Sequence, residues 1–345
     1  MNIIYSETAS ELVEQFYFPQ FAVSVSDWEW DFTNKERGLL RDVWPILEEL
    51  FDLFSPYKEK IASYCLLSGS GSILHACLLD MLKKGLAPKT VEAVYAYCLE
   101  LSEDQVRQLL IDMLNTEAEP MDKASFWECL EMSSKKPEDK WHFSRFYRHP
   151  LESMKELVEL SRELILLYQP YLEKGRAERQ AYAKTFLSEG FLEGLFSRFN
   201  VAFDENETIY LHIVSPWIIR LSISSDISQN EGQTRWSLVA SSRIDQLIES
   251  RREIDSDSFA NTLKILSDAT RYNVFVALTK PHAKSKDIAK DLAITGAAVS
   301  FHTQKLINAQ LLVVNRDDKD IKYNPNKALL KEVIAKLETD FALGD

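Results

Sequence analysis

Apolar residues return at three- and four-residue intervals through residues 39–54, 73–82, 91–101 and 154–168, the spacing that lines one face of a helix. Start and stop signals lie between these stretches. Ser102, followed by Asp104 and Gln105, reads as an N-terminal cap; Pro88 and Pro120 interrupt; Pro150 and Pro170 bracket the helix over 154–168. The polar run SSKKPEDK at 133–140 predicts an exposed loop, and most of residues 6–200 reads as helix. Near Asn200 the period changes. VAF and TIYLHIV flank Asp204-Glu205-Asn206-Glu207, and RLSIS and RWSLVAS flank SDISQNEGQT, which predicts two hairpins over 201–241. Helical spacing resumes over 243–254, with Ile244, Leu247 and Ile248 on one face.

The C-terminal part has its own order. A helix capped by Asp257 or Ser258 runs through Phe259, Leu263 and Leu266. A second, after Ser267-Asp268, buries Tyr272, Val274, Phe275 and Leu278 and ends at Lys280-Pro281. Ser285 caps a short third helix holding Ile288, Ala289 and Leu292. Beyond Ala293-Ile294-Thr295 a fourth covers 296–309, burying Val299, Leu306 and Ile307 and leaving Ser300, Phe301, His302, Gln304 and Lys305 to divide between a groove and packing. Residues 311–314 and 321–323 alternate as two strands around 315–320, and a last helix covers 327–337. Helix, helix, short helix, turn, helix and two-stranded wing is the order of a winged helix-turn-helix. The third helix braces the fourth, whose leading half fits a major groove about 12 Å wide while the wing reaches the backbone. Gly296, Ala297 and Ala298 keep that end slim, and the positive end of the helix dipole favours phosphate there.

The expected fold class is therefore mainly α: a helical N-terminal domain with a small β-hairpin section, followed by a winged helix-turn-helix domain. The expected boundaries are 1–200 for a helical domain serving effector binding or dimerisation, 201–254 for the β-rich section and connecting helix, and 255–345 for the winged domain.

Charge sharpens this picture. The net charge of −13 argues against indiscriminate coating of nucleic acid. Between Phe259 and Leu337, however, thirteen lysines and arginines face seven acids, a surplus of six positive charges, so the remainder of the chain carries −19. Screening over about 8 to 10 Å lets such a module meet phosphate despite an acidic body. No apolar run approaches the ~20 residues of a membrane span, and the first thirty residues lack the basic and small-residue features of a signal peptide. A cytoplasmic location is expected. Cys65, Cys77, Cys98 and Cys129 form no CxxC pair and are expected to be buried, reduced thiols.

LKILSDATRYNVFVAL (263–278) resembles the opening helices of the ArsR/SmtB-type family of bacterial repressors. DIAKDLAITGAAVSFHTQKLINAQLL (287–312) is similar to that family's third helix and recognition helix, with Val299-Ser300, His302, Leu306 and Ala309 in the recurring places. The likeness covers residues 258–337, under a quarter of the chain. It implies that Gly296, Ala297, Ser300, His302 and Gln304 touch DNA and that Arg316, Lys319 and Lys322 lie in the wing. Gln304 suits adenine, whereas Lys305 and the wing bases suit phosphate. Three departures stand out: Phe301 replaces a commonly polar or basic residue, Thr303 a common leucine, and Asp317, Asp318 and Asp320 make the wing acidic. The reading is a homodimeric repressor of double-stranded DNA on a pseudo-palindromic site. The alternative is an adaptor whose winged module contacts protein.

Relatives of this type answer to metals through a cysteine pair in the third helix or through histidines and carboxylates on the last. Here 285–292 has no cysteine, 327–337 has no histidine, and the domain's histidines are His282 and His302. Those metal sites lack their ligands, no cofactor is expected, and any signal should enter through residues 1 to 250 as a small molecule or a protein. WHFSRFYRH (141–149) is the densest aromatic and basic cluster. His142, Arg145 and Arg148 can line an effector pocket there, or the segment is an amphipathic helix burying Phe143, Phe146 and Tyr147. SGSGS at 68–72 lacks the lysine of a phosphate-binding loop and reads as a helix connection. HExxH and GxSxG are absent, His75 and His212 read as satisfied core groups, and no enzyme is expected.

Overall fold

The computed structural model describes residues 2–23, 32–67, 71–115, 125–133, 135–197, 203, 207–227, 234–250, 256–280, 285–317 and 320–343. β1 (Asn2–Tyr5) leads into α1 (Glu7–Gln15), capped by the Ser6 hydroxyl. Then come α2 (Asn34–Leu39), α3 (Trp44–Phe54), α4 (Lys58–Tyr64), α5 (Ile73–Lys83), α6 (Val91–Glu100), α7 (Glu103–Asn115), α8 (Phe126–Met132), α9 (Pro137–Arg148), α10 (Pro150–Phe186) and α11 (Phe191–Ser197). β2 (Thr208–Val214), β3 (Leu221–Ile227), β4 (Thr234–Ser241) and α12 (Ile244–Ser250) follow. The C-terminal part supplies α13 (Ser256–Leu266), α14 (Ala269–Leu278), α15 (Ser285–Asp291), α16 (Gly296–Asn308), β5 (Leu312–Asp317), β6 (Asp320–Pro325) and α17 (Lys327–Asp340). The fold is mainly helical with small sheets. Among the described residues no helix is long and apolar enough to cross a membrane.

Local chemistry sets many helix starts. At α7, where a cap was expected at Ser102, the Ser102 N–H donates to Gln105 Oε1 (2.8 Å) and the Gln105 N–H to Ser102 Oγ (3.3 Å), a reciprocal box. Ser125 and Glu128 build the same device on α8. Of SGSGS, residues 68–70 lie outside the described residues, while Ser72 caps α5 by accepting the His75 N–H. The expected loop over 133–140 is shorter than read: Pro137 takes the first position of α9, where its missing N–H costs nothing.

The chain divides into two compact units: residues 1–27, 42–191 and 203–244, and residues 28–41, 192–202 and 245–345. The strands of 208–241 thus belong with the helical body rather than forming a section of their own.

In the first unit the sheet runs β1-β2-β4-β3. RLSIS and RWSLVAS pair antiparallel as expected, whereas residues 201–202 and 204–206 of the first expected hairpin lie outside the described residues. Phe203 is not in a strand, and β2 instead runs parallel to β1 and to β4, with Asn2 opposite Thr208 and His212 opposite Val239. Leu211 to Val214 are consecutively buried, the mark of a central strand covered on both faces. β1 escaped notice because four residues are too few to display a period. Pro170 does not end the helix before it. α10 continues to Phe186, about 55 Å in all at 1.5 Å per residue. The carbonyl that Pro170 cannot donate to belongs to Leu166, a residue 70% exposed, while Tyr168 and Leu172 anchor the helix on either side.

A polar cluster lies inside this unit where α1, α10 and the end of β2 meet. Arg179 is fully buried and donates from Nη1 to Leu172 O and Ser215 Oγ, both at 2.9 Å. Its Nη2 reaches Glu11 Oε1 at 3.3 Å. Buried Glu14 accepts from the Tyr168 hydroxyl and the Ser215 N–H, each at 2.8 Å, and Trp217 Nε1 donates to the same hydroxyl at 2.7 Å. Gly175 lets the strand end approach α10: a Cβ there would overlap Ser215 Oγ and stand 2.9 Å from Arg179 Nη1. The four cysteines are buried in this unit, outside any disulfide. His212 is buried but not satisfied: both ring nitrogens lack a hydrogen-bond partner, and burial pushes its pKa down to about 4.

The second unit contains the winged helix-turn-helix order, packed around Ile265, Val274, Phe275, Leu278, Ile288, Val299, Leu306, Leu311 and Leu312. Three details differ from expectation. α13 begins at Ser256, so Asp257 and Ser258 fall inside it, and it buries Thr262 and Ile265 while Leu263 is exposed. Tyr272 is exposed rather than buried. The wing strands are longer, with Asp317 already opposite Asp320.

Candidate nucleic-acid interface

α16 is positioned by its neighbours on both sides. Thr295 caps it, Oγ1 accepting the Ala298 N–H at 3.1 Å, and Gly296 opens the helix. Val299, Thr303 and Leu306 are buried, one inward line at three- and four-residue spacing. The Thr303 hydroxyl donates to Val299 O at 2.8 Å, so the residue that replaces leucine is satisfied within its own helix. At about 100° per residue, the direction opposite that line passes between Phe301, Gln304 and Asn308, with Lys305 beside it. Phe301 is 51% exposed and Gln304 is exposed. Ser300 and His302 lie on the flanks and are half-buried.

The helix thus divides the expected contact residues. Phe301, Gln304 and Lys305 gather on the outward side: Gln304 Nε2 donates to Asn308 Oδ1 at 2.9 Å, and Lys305 Nζ stands 5.9 Å from the Phe301 ring centre. His302 turns toward α14 instead. Its Nδ1 is buried without a hydrogen-bond partner; burial lowers its pKa first and Arg271 adds to this, against an opposing pull from Asp268.

Asp268, expected as a helix start, and Arg271 emerge as organising residues. The Asp268 carboxylate caps α14 by accepting the Arg271 N–H at 2.8 Å, which holds its pKa below the usual range. The Arg271 side chain donates to Ile265 O at 3.2 Å, closing the end of α13. One five-residue segment, SDATR, ends one helix and starts the next.

In the wing, Arg316 is opposite Ile321 and Lys322 opposite Asn315, on adjacent rungs. Lys319 lies outside the described residues.

The expected effector residues occupy α9 in the other unit. Phe143 and Phe146 are buried and Tyr147 half-buried, as an amphipathic helix requires. His142 is half-buried with Nδ1 unpartnered. Arg145 Nη2 donates to the Tyr64 hydroxyl at 3.0 Å, whereas Arg148 lies over the exposed Trp127 ring at 5.5 Å. The two guanidiniums serve different rings. Among the described residues no group of three or more histidines, cysteines and carboxylates is placed to hold a metal ion.

No family model matches the chain, and no curated protein matches it.

Proposed function

We propose that this chain is a DNA-binding transcriptional regulator of the ArsR/SmtB type, acting as a homodimeric repressor. Two winged modules occupy half-sites about 34 Å apart on a pseudo-palindromic operator. The observation that carries this reading is the outward face of α16. Three residues seat the helix in the core, and the opposite side presents an amide, a cation and an aromatic ring with slim residues leading. The surplus of six positive charges between Phe259 and Leu337 supports it, because phosphate contacts supply most of the affinity. The helical body receives the signal, a small molecule or a protein, since the familiar metal positions of such regulators carry no ligands here.

The test is enrichment of duplexes from a random pool by the purified full chain, followed by fluorescence anisotropy across a salt series. The expected result is an enriched palindrome bound on the order of a thousandfold more tightly than random sequence, with affinity falling steeply as salt rises. Equal binding of all sequences, or none in dilute buffer, overturns the reading and favours the adaptor alternative.

A further inference from the structure

The geometry points to Phe301 as the reader of a thymine methyl group in the operator, an assignment that rests on the regulator reading above. Phe301 is the large hydrophobic left exposed on α16 among the described residues. It points away from the Val299–Thr303–Leu306 line, on the outward side of the helix. Its ring is framed rather than loose: the His302 ring meets it edge-on at 5.5 Å between centres, and Lys305 Nζ approaches it one turn later.

A phenyl ring offers no donor and no acceptor, so it cannot read the polar edges of guanine, cytosine or adenine. Pressed against them, it would strip water from a group that gains nothing in return. The major-groove edge of thymine carries the one apolar feature of the four bases, its C5 methyl. The lysine completes the arrangement, since an ammonium beside the ring can meet phosphate while the ring faces the bases. Gln304 adds a second reading group. With one N–H given to Asn308, its amide keeps the other N–H and Oε1, the pair that adenine accepts and donates to. Phe301 and Gln304 are separated by about 4.5 Å along the helix axis, against about 3.4 Å per base step. The thymine and the adenine therefore stand one or two steps apart.

The test uses the full chain and the duplex it enriches from a random pool. Each thymidine is replaced in turn by deoxyuridine, which lacks only the C5 methyl. Loss at one position is expected to be about fourfold, the equivalent of ~0.8 kcal/mol for one buried methyl group. The Phe301→Ala chain is expected to bind the thymidine and deoxyuridine duplexes alike, with Phe301→Leu retaining part of the difference. The replacement series on the unmodified chain decides even if the alanine variant fails to fold. Sequence-selective binding with no sensitive thymidine, or the same fourfold loss in Phe301→Ala, overturns the assignment and leaves the regulator reading standing. A chain that enriches no duplex overturns both.

Discussion

Arg179 Nη1 and Glu14 Oε2 lie 3.3 Å apart, and neither side chain reaches solvent. Burial pushes the Glu14 pKa up, while Arg179 and the hydrogen bonds from Ser215 and Tyr168 pull it down. The pair is held by partners on three elements, so removing one member strands the other's charge. Arg179→Met is expected to cost about 3 to 5 kcal/mol in urea unfolding at pH 7. Adding Glu14→Gln is expected to restore part of that loss. A single variant that unfolds at the parent's urea midpoint would contradict the cluster's role.

Gly175 and Gly194 make a matched pair of tests. Both are helical, and alanine is intrinsically the better helix former by about 1 kcal/mol. At Gly194 an added Cβ meets nothing within 4 Å, so Gly194→Ala should raise stability by about 0.5 to 1 kcal/mol. At Gly175 it meets Ser215 and Arg179, and Gly175→Ala should lower stability by about 1 to 3 kcal/mol. Thermal melts of the two variants are expected to move in opposite directions.

His212 makes stability depend on pH in a defined direction. With its pKa at about 4 in the fold against the ordinary histidine value of 6.5, the unfolded chain binds the extra proton between these limits. Stability is therefore lost as pH falls through that window, by about 2 kcal/mol from pH 7 to pH 5. His212→Leu should remove this component, measured as the difference between parent and variant in urea melts at both pH values. Identical pH dependence in the two proteins would rule out His212 as its source.

In the proposed interface, Gln304 and Lys319 are expected to fail differently. Gln304→Ala should weaken the enriched duplex by about 5- to 100-fold while leaving random duplex nearly unchanged. Lys319→Ala should weaken both alike and reduce the salt slope by about 0.9. Equal losses on every duplex for Gln304→Ala would remove it from base reading.

Local signals made the winged order legible. Ser267-Asp268 and the buried places of Val299 and Leu306 on α16 depend on neighbours a few residues away, and their elements lie where the spacing puts them, although Thr303 rather than Ile307 completes the inward line. What escaped depends on distant partners. Nothing near Asn2 announces Thr208, and Pro170 reads as a break until the exposure of Leu166 is known. Tyr272 counts as core by chemistry but faces outward, since Val274, Phe275 and Leu278 fill the inner face of α14. Arg179 has no local signature either. Its role arises from Glu14, Ser215 and Gly175, which only the fold brings together.

The parallel pairing of β1 with β2 imposes an order on biosynthesis. Ribosomes release about 5 to 20 residues per second, so the stretch from Asn2 waits on the order of ten to forty seconds for Thr208 to emerge. β4, which separates β2 from β3, is translated last of the four strands of this sheet. A nascent chain halted before Ser241 carries unpaired backbone along β2, an open template for association with other chains. Translation of the C-terminal module therefore begins only after the body has every strand it needs to close.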